Sequence, residues 1–534
     1  MKKMMKYATA LVVGLLIMTA CSKDYLETGP SNAANDATLA EDVEAYALYI
    51  NGINELMIYQ QGAFGQGYCG MTNLLNNHGN ICGNDWASCA FGGAASSLMT
   101  LNTNNNAAYS QYSWWFLYQI IGQANRILAR IDDAEGDSAS RAYYKAQALT
   151  YRAYCYQYLV QIFCKRWMDS NNGASNGVIL RLTDSTENMP LSTLAECYAQ
   201  IYQDCDEAIS LFQQSGRTTS NFYDPSINLA YGVKARAALT REDWETAATC
   251  AAQARNGHPL MSAAEFTDGF CEANNEWIFG GYGSSEMNMW YYTFGCYYAY
   301  NGYYTARGGY NVLGNRELVD ALSDDDVRKW LFTAPSLVGV DFDALTAAGQ
   351  VGIYCRASGD AADAIWDYEL GALSSVYSRM SQTGYAPAYD CFYQHLKFAV
   401  FDTPGVSNSC WMRSAEMYLI QAEALCKQAS PDYATAQQLL YTVNSRLDSS
   451  YTQSTATGQA LIDEIMFYRR AELWGEGFDW FDLKRTGASI SRKSRADGGV
   501  FEATHAGTVG PNAAGTNDWV WVIPLIETQY NSEL

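Results

Sequence analysis

Residues 468–487, YRRAELWGEGFDWFDLKRTG, decide how the rest of the chain is read. A helix with an apolar face (Leu461, Ile465, Leu473) runs into this stretch and carries Arg469, Arg470 and Glu472. Gly475 and Gly477 stop that helix, because glycine tolerates the left-handed backbone of a helix end. Phe478, Trp480 and Phe481 follow, interleaved with Asp479 and Asp482, and Lys484 and Arg485 close the run. The segment is too aromatic for an exposed loop and too charged for plain core. It reads as a buried arginine–carboxylate knot wedged against rings, where every charge needs a partner. Its role is architectural, so Glu472→Ala or Arg469→Ala is expected mainly to destabilise the fold.

The 534 residues are 49% hydrophobic and 17% charged, enough to bury a large core and unlike a disordered chain. A formal charge of −22 excludes a nucleic-acid partner, since nothing would neutralise a phosphate backbone. Forty tyrosines and fourteen tryptophans are an excess, and rings with polar tips suit both packing and wet, specific binding surfaces.

Lys2, Lys3 and Lys6 precede an apolar run from Ala8 to Ala20, too short to span a bilayer and so read as an export signal over residues 1–20. The run ends in Met18-Thr19-Ala20-Cys21, which resembles a bacterial lipobox with Met18 in place of the usual leucine. Cys21 is then the acylated residue, and its lipid the anchor. Removal of residues 1–20 takes three lysines and leaves a charge of −25. Residues 21–40 are small and polar, a tether to a body spanning 41–534. That body divides into a helical part, about 41–260, and a loop-rich part, about 261–534.

Of the other cysteines, Cys155, Cys205 and Cys426 sit at helix-core spacing, and no C-x-x-C suggests zinc. Most are read as small core residues, with Cys82 and Cys89 as the candidate disulfide. His78, His258, His395 and His505 show no metal spacing, so neither metal nor cofactor is expected. GQGYCG at 65–70 matches a dinucleotide fingerprint, and GASNG at 173–177 a nucleophile elbow, but neither has the strand and helix its chemistry needs. Asp324-Asp325-Asp326 before Val327-Arg328 is read as a helix cap favoured by the dipole rather than as catalytic acids.

Residues 114–131 and 141–163 are apolar at helical spacing, separated by DDAEGDS. A further helix follows a cap at Ser192 or Thr193, with Leu194, Tyr198, Ile201, Cys205 and Ile209 on one stripe. Asp243-Trp244-Glu245-Thr246-Ala247 recurs as Asp432-Tyr433-Ala434-Thr435-Ala436, each after an alanine-rich helix and each opening another. No such pair buries its face alone, so neighbours must stack. The expected fold is mainly α: tetratricopeptide-like helix pairs as scaffold, long irregular loops and little β structure.

Two such loops, 61–110 and 280–311, are rich in Gly, Asn and Tyr, and long loops on a rigid scaffold are usually functional. A sugar offers an apolar C–H face edged with hydroxyls, which a flat ring covers while amides and charges bond the edge. Asn84, Asp85 and Trp86 offer that combination, as do Trp290, Tyr291 and Tyr292 followed by Tyr303, Tyr304 and Arg307. The alternative is that these rings pack the loops onto the helical body.

Together these features resemble the SusD/RagB family of outer-membrane lipoproteins. The resemblance rests on the lipobox at Cys21, Tyr151-Arg152-Ala153-Tyr154 running into Leu159-Val160, Leu191-Ser192, and Asp326-Val327-Arg328. It continues through Arg469-Arg470-Ala471-Glu472-Leu473-Trp474-Gly475-Glu476-Gly477, Asp482-Leu483-Lys484-Arg485, and Ile523-Pro524 with Glu527 and Asn531. Cys164 stands where such proteins often carry glycine. The resemblance implies a surface glycan-binding protein without enzymatic activity, sitting as a lid over a SusC-like TonB-dependent transporter. Other readings are a peptide-binding lid, a protein-interaction scaffold, or a helical glycoside hydrolase with two carboxylates apart in sequence.

Overall fold

Asp137, Thr193, Ser226, Asp243 and Asp432 each cap the start of a long helix, the side chain accepting from a backbone amide of the first turn. The computed structural model describes residues 42–60, 64–65, 67–88, 101–286, 293–371 and 373–534. Within these, helices of eight or more residues are numbered in chain order. They are α1 Tyr46–Leu56, α2 Ala108–Leu128, α3 Ser138–Phe163, α4 Leu194–Ser215, α5 Ile227–Arg241 and α6 Trp244–Ala254. After a long excursion come α7 Asp360–Gly371, α8 Ser374–Thr383, α9 Ser414–Lys427, α10 Tyr433–Asn444, α11 Gly458–Glu472 and α12 Asp479–Thr486. Thr193, not Ser192, caps α4, in a reciprocal box with Glu196. The repeated turns do the same work twice: Asp243 accepts from the Thr246 amide at 3.3 Å and Asp432 from the Thr435 amide at 3.0 Å.

Helices α2 to α6 pack successively, each on the one before, as small residues allow. The stack does not end at α6. Helix α9 packs directly on it, and α10 and α11 pack on α9, so the second repeat continues the first across more than a hundred intervening residues. Ala247, Ala251 and Ala254 of α6 and Leu419, Ala422 and Cys426 of α9 are buried. A buried ion pair locks the junction: Arg236 of α5 donates to both oxygens of Glu416 at 2.7 Å, and also to the Tyr158 hydroxyl at 2.9 Å. Helix α3 runs through the middle and is buried along most of its length, not on one stripe. Cys164, just past its end, has φ −119, a backbone any residue adopts, so the lack of glycine there costs nothing. Lys484 instead closes that end, donating to the carbonyls of Gln161 at 2.5 Å and Cys164 at 2.9 Å.

Among the described residues the β structure is small: three antiparallel two-stranded pairs. Trp86–Ser88 (β1) joins Val312–Gly314 (β3), Trp277–Gly281 (β2) joins Ser409–Arg413 (β4), and Ile490–Arg492 (β5) joins Gly507–Val509 (β6). The expectation of a long irregular loop over 61–110 needs correction. Its described part holds a helix (Gly70–Leu75) and a π-helical turn (Asn76–Asn80), and residues 77–88 are buried. The cysteines are mostly core residues, as expected: twelve of the described thiols are buried and Cys410 is half-buried. Cys82 is a free thiol that donates to the Asn77 carbonyl, which overturns its place in a disulfide, and Cys89 lies outside the described residues.

The knot of residues 468–487 forms, but its partners come from elsewhere in the chain. Glu472 accepts from Arg413 at 2.8 Å, Arg446 at 2.5 Å and Arg328 at 3.5 Å. Glu476 accepts from Arg413 at 2.8 Å and Lys397 at 2.6 Å, and Arg413 also reaches Glu276 at 2.8 Å. Arg469 pairs not with Glu472 but with Asp482, at 2.6 Å, and Asp482 passes the chain on to Arg485 and Glu423. Burial alone would raise the Glu472 carboxyl, but Arg446, Arg413 and Arg328 hold it far below the usual carboxylate range. Gly475 and Gly477 have φ of 77° and 89°, and a side chain on either would run into Phe398 or Leu75. Asp326 caps the turn Val327–Trp330 and pairs with Arg328 at 2.7 Å, as its position beside that turn suggested.

One buried carboxyl has no such company. Glu369 faces a second apolar core from α7, in line with Ala361 and Ile365, and neither of its oxygens has a hydrogen-bond partner among the described residues. Burial, with Asp390 adding to it, pushes its carboxyl well up. The folded chain therefore holds a proton that the unfolded chain releases above pH ~4.5, so this contribution to stability fades as pH rises. Glu369→Gln is expected to stabilise by roughly 1–3 kcal/mol at pH 7.5 and by little at pH 4. Thermal unfolding at the two pH values checks this; an equal effect at both would be the wrong result.

Candidate ligand-binding surface

The second tyrosine-rich segment condenses into two short helices. Thr293 caps Phe294–Tyr298, accepting from the Cys296 amide, and Gly309 ends Tyr303–Gly308 with φ 69°. Gly309 is required twice over, since a Cβ there would also meet the Tyr389 ring at 2.2 Å. Buried amides fix the segment from below. Asn301 donates to the carbonyls of Arg379 and Val400, both at 3.0 Å, and Asn311 donates to the Tyr389 carbonyl at 3.0 Å.

On this base the tyrosines assemble outward. Tyr304 stacks on Tyr297 with centroids 4.7 Å apart and planes 14° from parallel, and meets Tyr310 at 5.2 Å. Tyr303 packs edge-on against Tyr304 and Tyr385. The Arg307 guanidinium lies 5.4 Å from the Tyr385 centroid, and that of Arg356 lies 3.5 Å from Tyr389. Tyr297, Tyr303, Tyr304, Tyr310 and Tyr385 are half-buried, Tyr389 is 36% exposed, and both arginines are exposed. The result is a platform of rings edged with cationic donors.

The structure divides the residues singled out in the sequence. Tyr303, Tyr304 and Arg307 lie on the platform, whereas Trp290, Tyr291 and Tyr292 lie outside the described residues. The reading of Asn84, Asp85 and Trp86 as ligand contacts is corrected by burial. Trp86 is 3% exposed, stacked on Trp474 at 5.1 Å and His395 at 6.0 Å, with Tyr298 edge-on at 5.6 Å. Asp85 pairs with Arg470 at 2.7 Å, and its carbonyl accepts from the Trp474 indole at 2.7 Å. The Asn84 side chain accepts from the Ser491 amide at 2.6 Å. The two loops do meet, through β1 and β3 with Trp86 opposite Gly314, but the first is the underlay of the second. Tyr385 and Tyr389 went unrecognised; their only signal is two rings on a small-residue loop, GYAPAYD at 384–390.

Asp85 and Asp479 form a close pair of carboxylates. The amides of Asn84 and Asp85 donate to Asp479, at 2.5 and 2.8 Å, and burial together with Asp85 pushes the Asp479 carboxyl up. The space beside them is only about 20 Å³, room for one water and not for a sugar ring. His78 and His395 are buried and held neutral by burial, one on Ser113 and the other on the Tyr298 carbonyl. Among the described residues no group of three His, Cys, Asp or Glu could hold a metal, and no helix is long and apolar enough to cross a membrane.

A family profile described as SusD family matches residues 393–533, the part holding the knot and the second repeat. A second, described as starch-binding and associating with the outer membrane, matches residues 71–239, the first helices of the stack. The chain belongs to the SusD/RagB family. Among solved structures, a SusD-like carbohydrate binding protein from Bacteroides vulgatus ATCC 8482 is similar with a TM-score of 0.71 at 21% identity. The match covers 92% of this chain and 97% of that one. A SusD superfamily protein from Bacteroides thetaiotaomicron VPI-5482 gives 0.69 at 20%, covering 92% and 98%. One from Bacteroides fragilis gives 0.66 at 19%, covering 92% and 99%. At these identities the likeness establishes the shared SusD-like fold. No curated protein matches the chain.

Proposed function

We propose that this SusD/RagB protein is a surface lipoprotein, acylated at Cys21, that captures an oligosaccharide on the tyrosine platform. It then acts as the lid of a SusC-like TonB-dependent transporter and delivers the glycan inward without cleaving it. The platform carries the reading. Rings with apolar faces and hydroxyl edges lie beside Arg307 and Arg356, which matches the alternating C–H and O–H character of a pyranose. Trp290, Tyr291 and Tyr292, close in sequence, are proposed as further ligand rings. The space beside Asp85 and Asp479 is too small for a sugar ring, which supports binding without turnover at that pair.

A glycan array with affinity-gel follow-up, on soluble protein lacking residues 1–21, tests the reading. Tyr389→Ala should weaken glycan binding by about 1–1.5 kcal/mol, roughly tenfold, while leaving the melting temperature nearly unchanged. Because the two arginines also suit acidic peptides, a peptide library belongs beside the array. Peptide binding without glycan binding would replace this reading, and product release would overturn the absence of catalysis.

A further inference from the structure

A second recess lies apart from the platform, and at about 480 Å³ it is far larger than three other cavities among the described residues, of about 30, 50 and 20 Å³. It opens between the α4–α5 connection, the first turn of α5, the turn after α6 and the approach to β2. Its volume falls in the range of small-molecule sites. Phe222 forms one wall, half-buried, and is held edge-on by Trp277 at 5.6 Å, so a ring face is fixed in place with a rigid backing. Trp277 itself is 2% exposed, and its indole N–H has no acceptor among the described residues.

The polar lining is nearly uncharged. No carboxylate and no lysine line the recess. Its one arginine, Arg217, is committed elsewhere: it donates to Ser140 at 2.7 Å and Glu44 at 3.4 Å and lies over the Tyr143 ring at 4.7 Å. His258 points Nδ1 at the Asn275 carbonyl, and burial lowers its pKa, so it is neutral at pH 7. What remains is amide chemistry. Asn228 uses its Nδ2 on the carbonyls of Ala254 and Asn256, which leaves Oδ1 as an acceptor. The Asn275 side chain is exposed and makes no hydrogen bond among the described residues. A ring face beside paired amide donors and acceptors, in a site without net charge, fits a neutral polyhydroxylated ring and rejects an ion, which would go unpaired.

We propose that this recess is a second saccharide site, which takes an uncharged sugar unit with its C–H face on Phe222 and its hydroxyls on Asn228 and Asn275. It rests on the glycan-binding reading above. Two separate sites on one molecule would let a polysaccharide be held at two points, raising avidity without any stronger single contact.

Calorimetry with malto-, cello-, xylo- and mannohexaose decides it, on wild type, on the platform variant Tyr303→Ala/Tyr389→Ala, and on that variant carrying Phe222→Ala/Asn275→Ala as well. Neither recess substitution removes a side-chain hydrogen bond of the fold, and thermal melts confirm folding. The expected result is that the platform variant keeps binding at least one hexaose, and that the recess substitutions weaken that residual binding tenfold or more. If wild type binds a hexaose and the platform variant binds none, the recess proposal falls and the platform reading stands. Residual binding that survives the recess substitutions also overturns the recess. If wild type binds no hexaose the recess proposal falls, and silence on the array as well takes the platform reading with it.

Discussion

Glu472→Ala is expected to cost about 3–5 kcal/mol of folding stability, because it leaves three arginines facing one another without their shared carboxylate. Arg413, Arg446 and Arg328 converge on Glu472, which is fully buried. Arg413 keeps Glu476 and Glu276, and Arg328 keeps Asp326, but Arg446 is left with the Val443 carbonyl at 3.2 Å and a 3.9 Å approach to Glu276. The loss therefore falls mainly on a half-buried guanidinium that keeps no close carboxylate. The pH dependence has a definite sign. With the folded carboxyl held below its unfolded value, the stabilisation is present in full above pH ~4.5, shrinks as pH drops below that, and is gone once pH has fallen through the depressed folded value. Denaturant titration of both proteins at pH 7 and pH 3 measures it. A variant as stable as wild type at pH 7 would show that the knot is not a structural element. A stable variant that had lost glycan binding would move the segment into the ligand site.

Trp86→Ala is expected to cost a similar amount, about 3–5 kcal/mol, by opening a cavity that stacked rings cannot close. Trp86 packs on both Trp474 and His395, which also touch each other, and supports Tyr298 and Phe294. Its contacts join the knot helix to the underside of the tyrosine platform. Binding per folded molecule should fall less than in Tyr389→Ala, since Tyr389 is partly exposed and Trp86 is not. Calorimetric unfolding paired with affinity gels separates the two effects. A Trp86→Ala protein of normal stability and no glycan binding would restore Trp86 as a contact residue.

These two cases show where sequence reading succeeds and where it stops. The run Asn84-Asp85-Trp86 and the run Tyr303-Tyr304…Arg307 have the same local character, a ring beside polar and charged groups. One is interior because Arg470, Trp474 and Asn315, far away in the chain, satisfy its polar atoms. The other reaches the surface because its inner polar work is done by Asn301 and Asn311. Nothing within either run encodes that difference. Tyr385 and Tyr389 on one loop and Arg356 on another were invisible for the same reason, as both loops reach the platform from elsewhere in the chain.

Helix caps, glycine ends, the doubled turn at Asp243 and Asp432 and the need to pair buried charges are all local, since each is a demand that a few neighbouring residues place on their own backbone. From these the sequence by itself determined a stack of helix pairs and a buried knot at 468–487. Which charges meet in that knot, which rings face solvent and where a recess remains between helices depend on how segments hundreds of residues apart are packed. Only the tertiary structure decided them, because burial is a property of the surroundings and not of the residue.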